Sequence, residues 1–134
     1  PASAYGSPTF NLSSNASQVY FNAMLYKPRE LSNGLFLFQF TEDDNEDGTF
    51  SAATEDMYSI EVPMTQNGWS QLSIRYSDLT ALVNGQPAAP AGNGVLEPNK
   101  LFRVQILFLA NPNSGYAHAF LDYLIFTEGA ALEP

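Results

Sequence analysis

Short stretches of alternating apolar and polar residues recur along the chain, separated by clusters of Gly, Pro, Asn and Asp, and no stretch sustains a helical period. In residues 18–26, Val19, Phe21, Ala23 and Leu25 fall on one side and Tyr20, Asn22, Met24 and Tyr26 on the other. In residues 35–42, Phe36, Phe38 and Phe40 oppose Leu37, Gln39 and Thr41, and a phenylalanine file of this kind marks a core face. Further strands are expected at 10–13, 57–63, 69–77, 101–109 and 116–126, with one helical turn near 77–80. Asn67-Gly68 favours the positive backbone angles of a tight reversal between two of them, and residues 111–115 supply another turn. The pattern predicts an all-β chain, an antiparallel β-sandwich of roughly seven to nine strands folded as one domain.

Parity also assigns faces. Leu72, Ile74 and Tyr76 are expected inside, leaving Trp69, Gln71, Ser73 and Arg75 outside. Phe102, Val104, Ile106 and Phe108 are expected inside, leaving Arg103 and Gln105 outside. In the last strand Ala117, Ala119, Leu121, Tyr123 and Ile125 are expected in the core, with Tyr116, His118, Phe120 and Asp122 on the other side. One sheet face carrying Trp69, Gln71, Arg75, Arg103, Gln105, His118 and Asp122 suits sugar recognition. Planar polar groups match pairs of hydroxyls, and an aromatic ring stacks on the apolar face of a pyranose. The plainer readings are a surface histidine, a tryptophan lid on the core, and arginines paired with Asp122 or Glu61.

Charge changes the picture at one place. Glu42, Asp43, Asp44, Glu46, Asp47, Glu55 and Asp56, half of the fourteen acidic residues, crowd between two expected strands with no Lys or Arg among them. Asp43, Asn45, Asp47 and Gly48 reproduce the D-x-N-x-D-G opening of a calcium loop, in which alternate oxygen-bearing side chains converge on a hard cation. The twelfth position is Thr54 where a bidentate Glu is expected, and no amphipathic helix flanks the loop, so this is not an EF-hand. The expected structural calcium ligands are Asp43, Asn45 and Asp47 through side chains, Thr49 through its carbonyl, and Glu55 or Asp56 closing the shell. The alternative is a solvated acidic turn.

The net charge of −9, with only five basic residues, leaves no basic stripe for nucleic acid. The absence of cysteine excludes disulfides and thiol chemistry. The longest apolar run, 106–110, is too short to span a bilayer. The Pro-Ala-Ser start suggests a processed or excised piece of a longer chain. There is no nucleophile elbow, metal-binding histidine pair or phosphate loop, and Glu61 and Asp122 lack the spacing pattern of a glycosidase pair, so the expectation is a non-enzyme.

The string from Gly68 through Trp69, Gln71, Ile74, Arg75 and Asp78 to Leu79, then Asn93-Gly94-Val95-Leu96, then Leu121-Asp122-Tyr123-Leu124-Ile125-Phe126, resembles the galactose-binding-domain-like jelly rolls. These include carbohydrate-binding modules and domains of Bacteroidota surface lipoproteins, and the resemblance runs from about residue 18 to 126. It implies a jelly-roll sandwich, a secreted or cell-surface location, a carbohydrate ligand and often a structural calcium. The calcium of such modules often sits near the termini, so the central acidic loop departs from that pattern. The two function classes left open are a non-catalytic glycan-binding module and a structural or protein-interaction domain that docks with other domains of the same surface protein.

Overall fold

A computed structural model describes residues 9–83, 85–110 and 117–133. Among them are eight antiparallel strands: β1 (Val19–Lys27), β2 (Gly34–Glu42), β3 (Met57–Pro63), β4 (Gly68–Arg75), β5 (Leu82–Val83), β6 (Gln86–Pro87), β7 (Leu101–Ala110) and β8 (Phe120–Glu128). The six long strands form two sheets, ordered β4-β1-β8 and β3-β2-β7, and β5-β6 is a small separate hairpin. The first long strand thus pairs with the last and the second with the penultimate.

The inner faces are those that alternation dictates. Phe36, Phe38 and Phe40 on β2 face Val19, Phe21, Ala23 and Leu25 of β1 across the sandwich, all of them buried. Phe21 packs 5.1 Å from both Phe38 and Phe40 and 5.4 Å from Phe126, so one ring joins three strands from two sheets. Removing a ring so placed costs roughly 3–5 kcal/mol.

Three expectations change. Residues 10–13 form no strand; Phe10 gives one backbone bond, to the Leu101 carbonyl at 3.0 Å. The short helical turn is a 3-10 turn over Tyr76–Asp78, so β4 ends at Arg75 and not at residue 77. The last strand spans 120–128, with Ala117 to Ala119 outside it, and the expected positions 111–116 lie outside the described residues.

The inward set of β8 also differs. Met24 pairs with Asp122 but Asn22 pairs with Ile125, so two residues, Tyr123 and Leu124, oppose Ala23 alone. Tyr123 takes φ 51° to make this β-bulge. The extra residue inverts the parity: Leu121 and Phe126 pack on the core, while Tyr123 and Ile125 are 69% and 46% exposed.

Candidate metal centre and ligand faces

The phenylalanine file of β2 does not stop at Phe40. Glu42 is its next inward residue and Asp44 the one after. On β3, Tyr58 and Ile60 face the same core, and Asp56 precedes them in the same parity. The Glu42 N–H donates to the Asp56 carbonyl at 2.9 Å, carrying the β2–β3 ladder one step past the strands. The two inner files therefore end in three carboxylates at one end of the sandwich, with ligand oxygens within 4.8 Å of one another.

Each carboxylate is held from outside. Glu42 Oε1 accepts the Tyr76 hydroxyl at 2.7 Å and the Glu97 N–H at 2.9 Å. Asp44 Oδ2 accepts the Asp56 N–H at 2.7 Å. Asp56 accepts the Gly92 N–H on Oδ1 and the Gly94 N–H on Oδ2, both at 2.6 Å, and the Tyr58 hydroxyl on Oδ2 at 3.3 Å. The remaining oxygens of the first two, Glu42 Oε2 and Asp44 Oδ1, are buried without a hydrogen-bond partner. Gly92 leaves the cluster its space, since a Cβ there would lie 1.9 Å from Asp44 Oδ2.

The electrostatics follow from burial. Glu42, fully buried, has its pKa pushed up to about 8 by desolvation, against the lowering effect of its bonds from Tyr76 and Glu97 and with the charges of Asp44 and Asp56 adding to it. Asp44 is raised by the same burial and by Asp56 and Glu55; Lys100, whose ammonium pairs with Glu97 at 3.3 Å, is the least of the influences on it. The Tyr58 and Tyr76 phenols are pushed up by burial beside these carboxylates and stay protonated donors. Three hard oxygen ligands with unpartnered lone pairs match a hard dication, and Glu42, Asp44 and Asp56 could hold a metal ion.

Of the ligands expected from the sequence, only Asp56 belongs to this group. Asp43, Asp47 and Glu55, three of the expected ligands, form a second close set that could hold a metal ion, and its oxygens also serve the loop itself. Asp43 accepts the N–H groups of Asp47 (3.1 Å) and Gly48 (2.9 Å). Asp47 accepts the Thr49 N–H at 2.7 Å and an Asn45 amide hydrogen at 3.1 Å, while Asn45 Oδ1 accepts the Asp47 N–H at 3.1 Å. Glu55 accepts the Asp44 N–H at 2.6 Å and the Thr54 hydroxyl at 3.2 Å. The D-x-N-x-D-G string thus folds as consecutive side-chain-to-backbone turns.

No protein-family model, curated protein or solved structure matches the chain.

The seven residues expected on one polar sheet face are divided between two sheets. Because β7 pairs with β2 and β8 with β1, Arg103 and Gln105 stand on the outer face of the second sheet, and Trp69, Gln71, Arg75 and Asp122 on that of the first. Arg103 stacks on Phe50 at 3.9 Å and reaches Gln105 at 3.4 Å. His118 precedes β8, its Nε2 3.8 Å from Glu30 and its ring edge-on to Phe120. On the same outer face as Arg103, a cleft of about 420 Å³ opens between Leu107 and the β5-β6 hairpin, with Gln39 and Glu61 as polar lining.

The outer face of the first sheet is built in cross-strand ranks. Trp69, Tyr26 and Phe120 form the first, with Tyr26 5.3 Å from Trp69 and 5.7 Å from Phe120. Gln71, Met24 and Asp122 form the second, and Ser73, Asn22 and Ile125 the third. In the fourth, Arg75 donates to the Tyr20 hydroxyl at 3.0 and 3.1 Å. The chain's own C-terminal segment covers the third rank. Asn22 Oδ1 accepts the Ser73 hydroxyl (2.8 Å) and the Leu132 N–H (3.0 Å), its amide donates to Ile125 and Thr127, and Gln71 donates to the Leu132 carbonyl. The aromatic rank stays open, with Trp69 53% and Phe120 54% exposed. Sequence parity marked Trp69, but the partnership of Tyr26 and Phe120 with it depends on strand order. Among the described residues no helix is long and apolar enough to cross a membrane.

Proposed function

We propose that this chain is a non-catalytic glycan-binding module with a structural calcium ion, of the galactose-binding-domain-like kind, working at a cell surface or in secretion. The observation that carries the reading is the aromatic rank Trp69–Tyr26–Phe120, two exposed rings on either side of half-buried Tyr26 across one sheet. Such a platform stacks on the apolar faces of sugar rings, and Asp122 in the neighbouring rank offers acceptors to hydroxyls at its margin. Calcium fits the all-oxygen ligand set of Glu42, Asp44 and Asp56 and tolerates their irregular geometry better than magnesium, which demands a near-ideal octahedron.

The test is native affinity electrophoresis through gels containing β-glucan, xylan, mannan or galactan. Retardation by at least one polymer is expected, lost in Trp69→Ala without a change in melting temperature. No retardation in any gel, or retardation indifferent to Trp69→Ala, refutes the platform. A second reading, a protein-interaction domain, is favoured by Tyr123, Leu124 and Ile125, exposed side by side on the edge strand β8. It predicts that Tyr123→Ser weakens capture of neighbouring domains of the parent protein while glycan retardation is absent.

A further inference from the structure

We propose that a calcium ion held by Glu42, Asp44 and Asp56 is a clasp that keeps residues 88–97 docked on the end of the sandwich. This rests on the calcium part of the function proposed above and says what the ion is for. Residues 89–95 are all exposed and belong to no strand. Among the described residues, the hydrogen bonds that tie them to the strands are two, from the Gly92 and Gly94 N–H groups, and both end on Asp56. A third amide of the same crossover, Glu97, ends on Glu42. The backbone of Gly92 also lies against Asp44, as the 1.9 Å Cβ clash records. Elsewhere the segment is held by the Ala88 N–H on the Ala81 carbonyl at 3.0 Å and by Leu96 against the core, so between these two points its approaches run through the three candidate ligands.

The unpartnered oxygens point to the cation as the missing element. Glu42 is fully buried, yet its Oε2 has no donor, and Asp44 Oδ1 is in the same condition. A cation shared by these two oxygens and Asp56 satisfies both and holds Asp56 between itself and the two glycine amides. Without it, three carboxyl groups within 4.8 Å cannot all stay ionised, and the two buried oxygens keep no partner. Asp56, joined to the crossover by both its oxygens, carries Gly92 and Gly94 with it when it moves.

Amide hydrogen exchange of the full chain, in millimolar calcium chloride and in EGTA, tests this. Calcium is expected to slow exchange at Gly92, Gly94 and Glu97 about tenfold or more, while amides shared by β1 and β4 change little. Asp44→Asn leaves every crossover hydrogen bond in place, because Asp44 accepts from Asp56 and not from the crossover. In calcium it is expected to exchange like the wild type in EGTA. If calcium raises the melting temperature but leaves residues 90–97 unchanged, the clasp is overturned and the calcium site stands. If calcium alters neither melting nor exchange, both fall. If Asp44→Asn keeps calcium-dependent protection, the ion sits elsewhere and the clasp is again overturned.

Discussion

Glu42→Gln is expected to stabilise the metal-free protein and to abolish its response to calcium. The folded chain holds the Glu42 proton up to about pH 8, whereas an unstructured glutamate releases it near 4.5. A group raised in this direction contributes its full stability below the lower value and loses it as pH rises through the higher one. At pH 7 the unfolded chain is therefore favoured through Glu42 by about 3 kcal/mol. Glutamine removes that term and keeps an oxygen for the Tyr76 hydroxyl and the Glu97 N–H. Urea melts in EDTA at pH 7.5 are expected to place the variant above the wild type by about 3–4 kcal/mol, the gap closing towards pH 5. The wild type alone should lose stability over this range with a slope approaching 1.4 kcal/mol per pH unit for one proton, to about pH 8. In calcium the gap closes or reverses, since an ion binding only the folded state adds about 4.1 kcal/mol at a thousandfold excess over Kd, and glutamine lacks the charge to hold it. A variant no more stable than wild type in EDTA at pH 7.5, or one stabilised by calcium as strongly as wild type, refutes the account of Glu42.

Gly92→Ala drives a methyl to within 1.9 Å of Asp44 Oδ2; thermal melts should show a loss of roughly 2 kcal/mol or more, and calorimetry a loss of calcium binding. Asn22→Ala removes a buried amide whose bonds span β1, β4, β8 and the C-terminal segment; a cost of about 2–3 kcal/mol is expected in urea melts, with faster amide exchange at Leu132. Tyr123, exposed at φ 51°, should accept glycine with little loss or a gain of up to about 1 kcal/mol, whereas Tyr123→Val should lose roughly 1–2 kcal/mol in the same melts.

What the sequence makes legible is what period 2 controls. The inward sets of β1 and β2 lie where alternation puts them, because both strands are central and pair on both sides without interruption over their phenylalanines. Parity fails on β8, where the bulge at Tyr123 inserts one residue opposite Ala23. No glycine marks the site; Asp122, whose Oδ1 accepts the Tyr123 N–H at 2.8 Å, is the one local turn former beside it, and strand pairing on either side fixes the bulge. Parity is also silent on which sheet a strand joins. Trp69 and Arg103 are both outward residues, yet they stand on opposite faces of the molecule because β4 pairs with β1 and β7 with β2. A ligand face depends on strand order, which only the long-range pairings determine.

The acidic loop shows how two sequence signals compete. The D-x-N-x-D-G spacing describes a loop that wraps its own ligands, so it points to Asp43, Asn45 and Asp47. In this chain those residues are occupied in turning the backbone. Strand alternation continued past Phe40 points instead to Glu42 and Asp44, and continued backwards from Tyr58 it points to Asp56. An acidic residue at an inward position cannot relieve its charge in water, so it must be protonated, paired or metal-bound. Asp43 and Glu55 are buried as well, but their oxygens accept N–H and hydroxyl donors within the loop. Where a carboxylate terminates a file of buried aromatics, its parity is therefore the stronger indicator of chemistry, and the density of charge around it the weaker one. Glu42, with one oxygen bonded to Tyr76 and Glu97 and the other without a partner, is the residue at which that demand is concentrated.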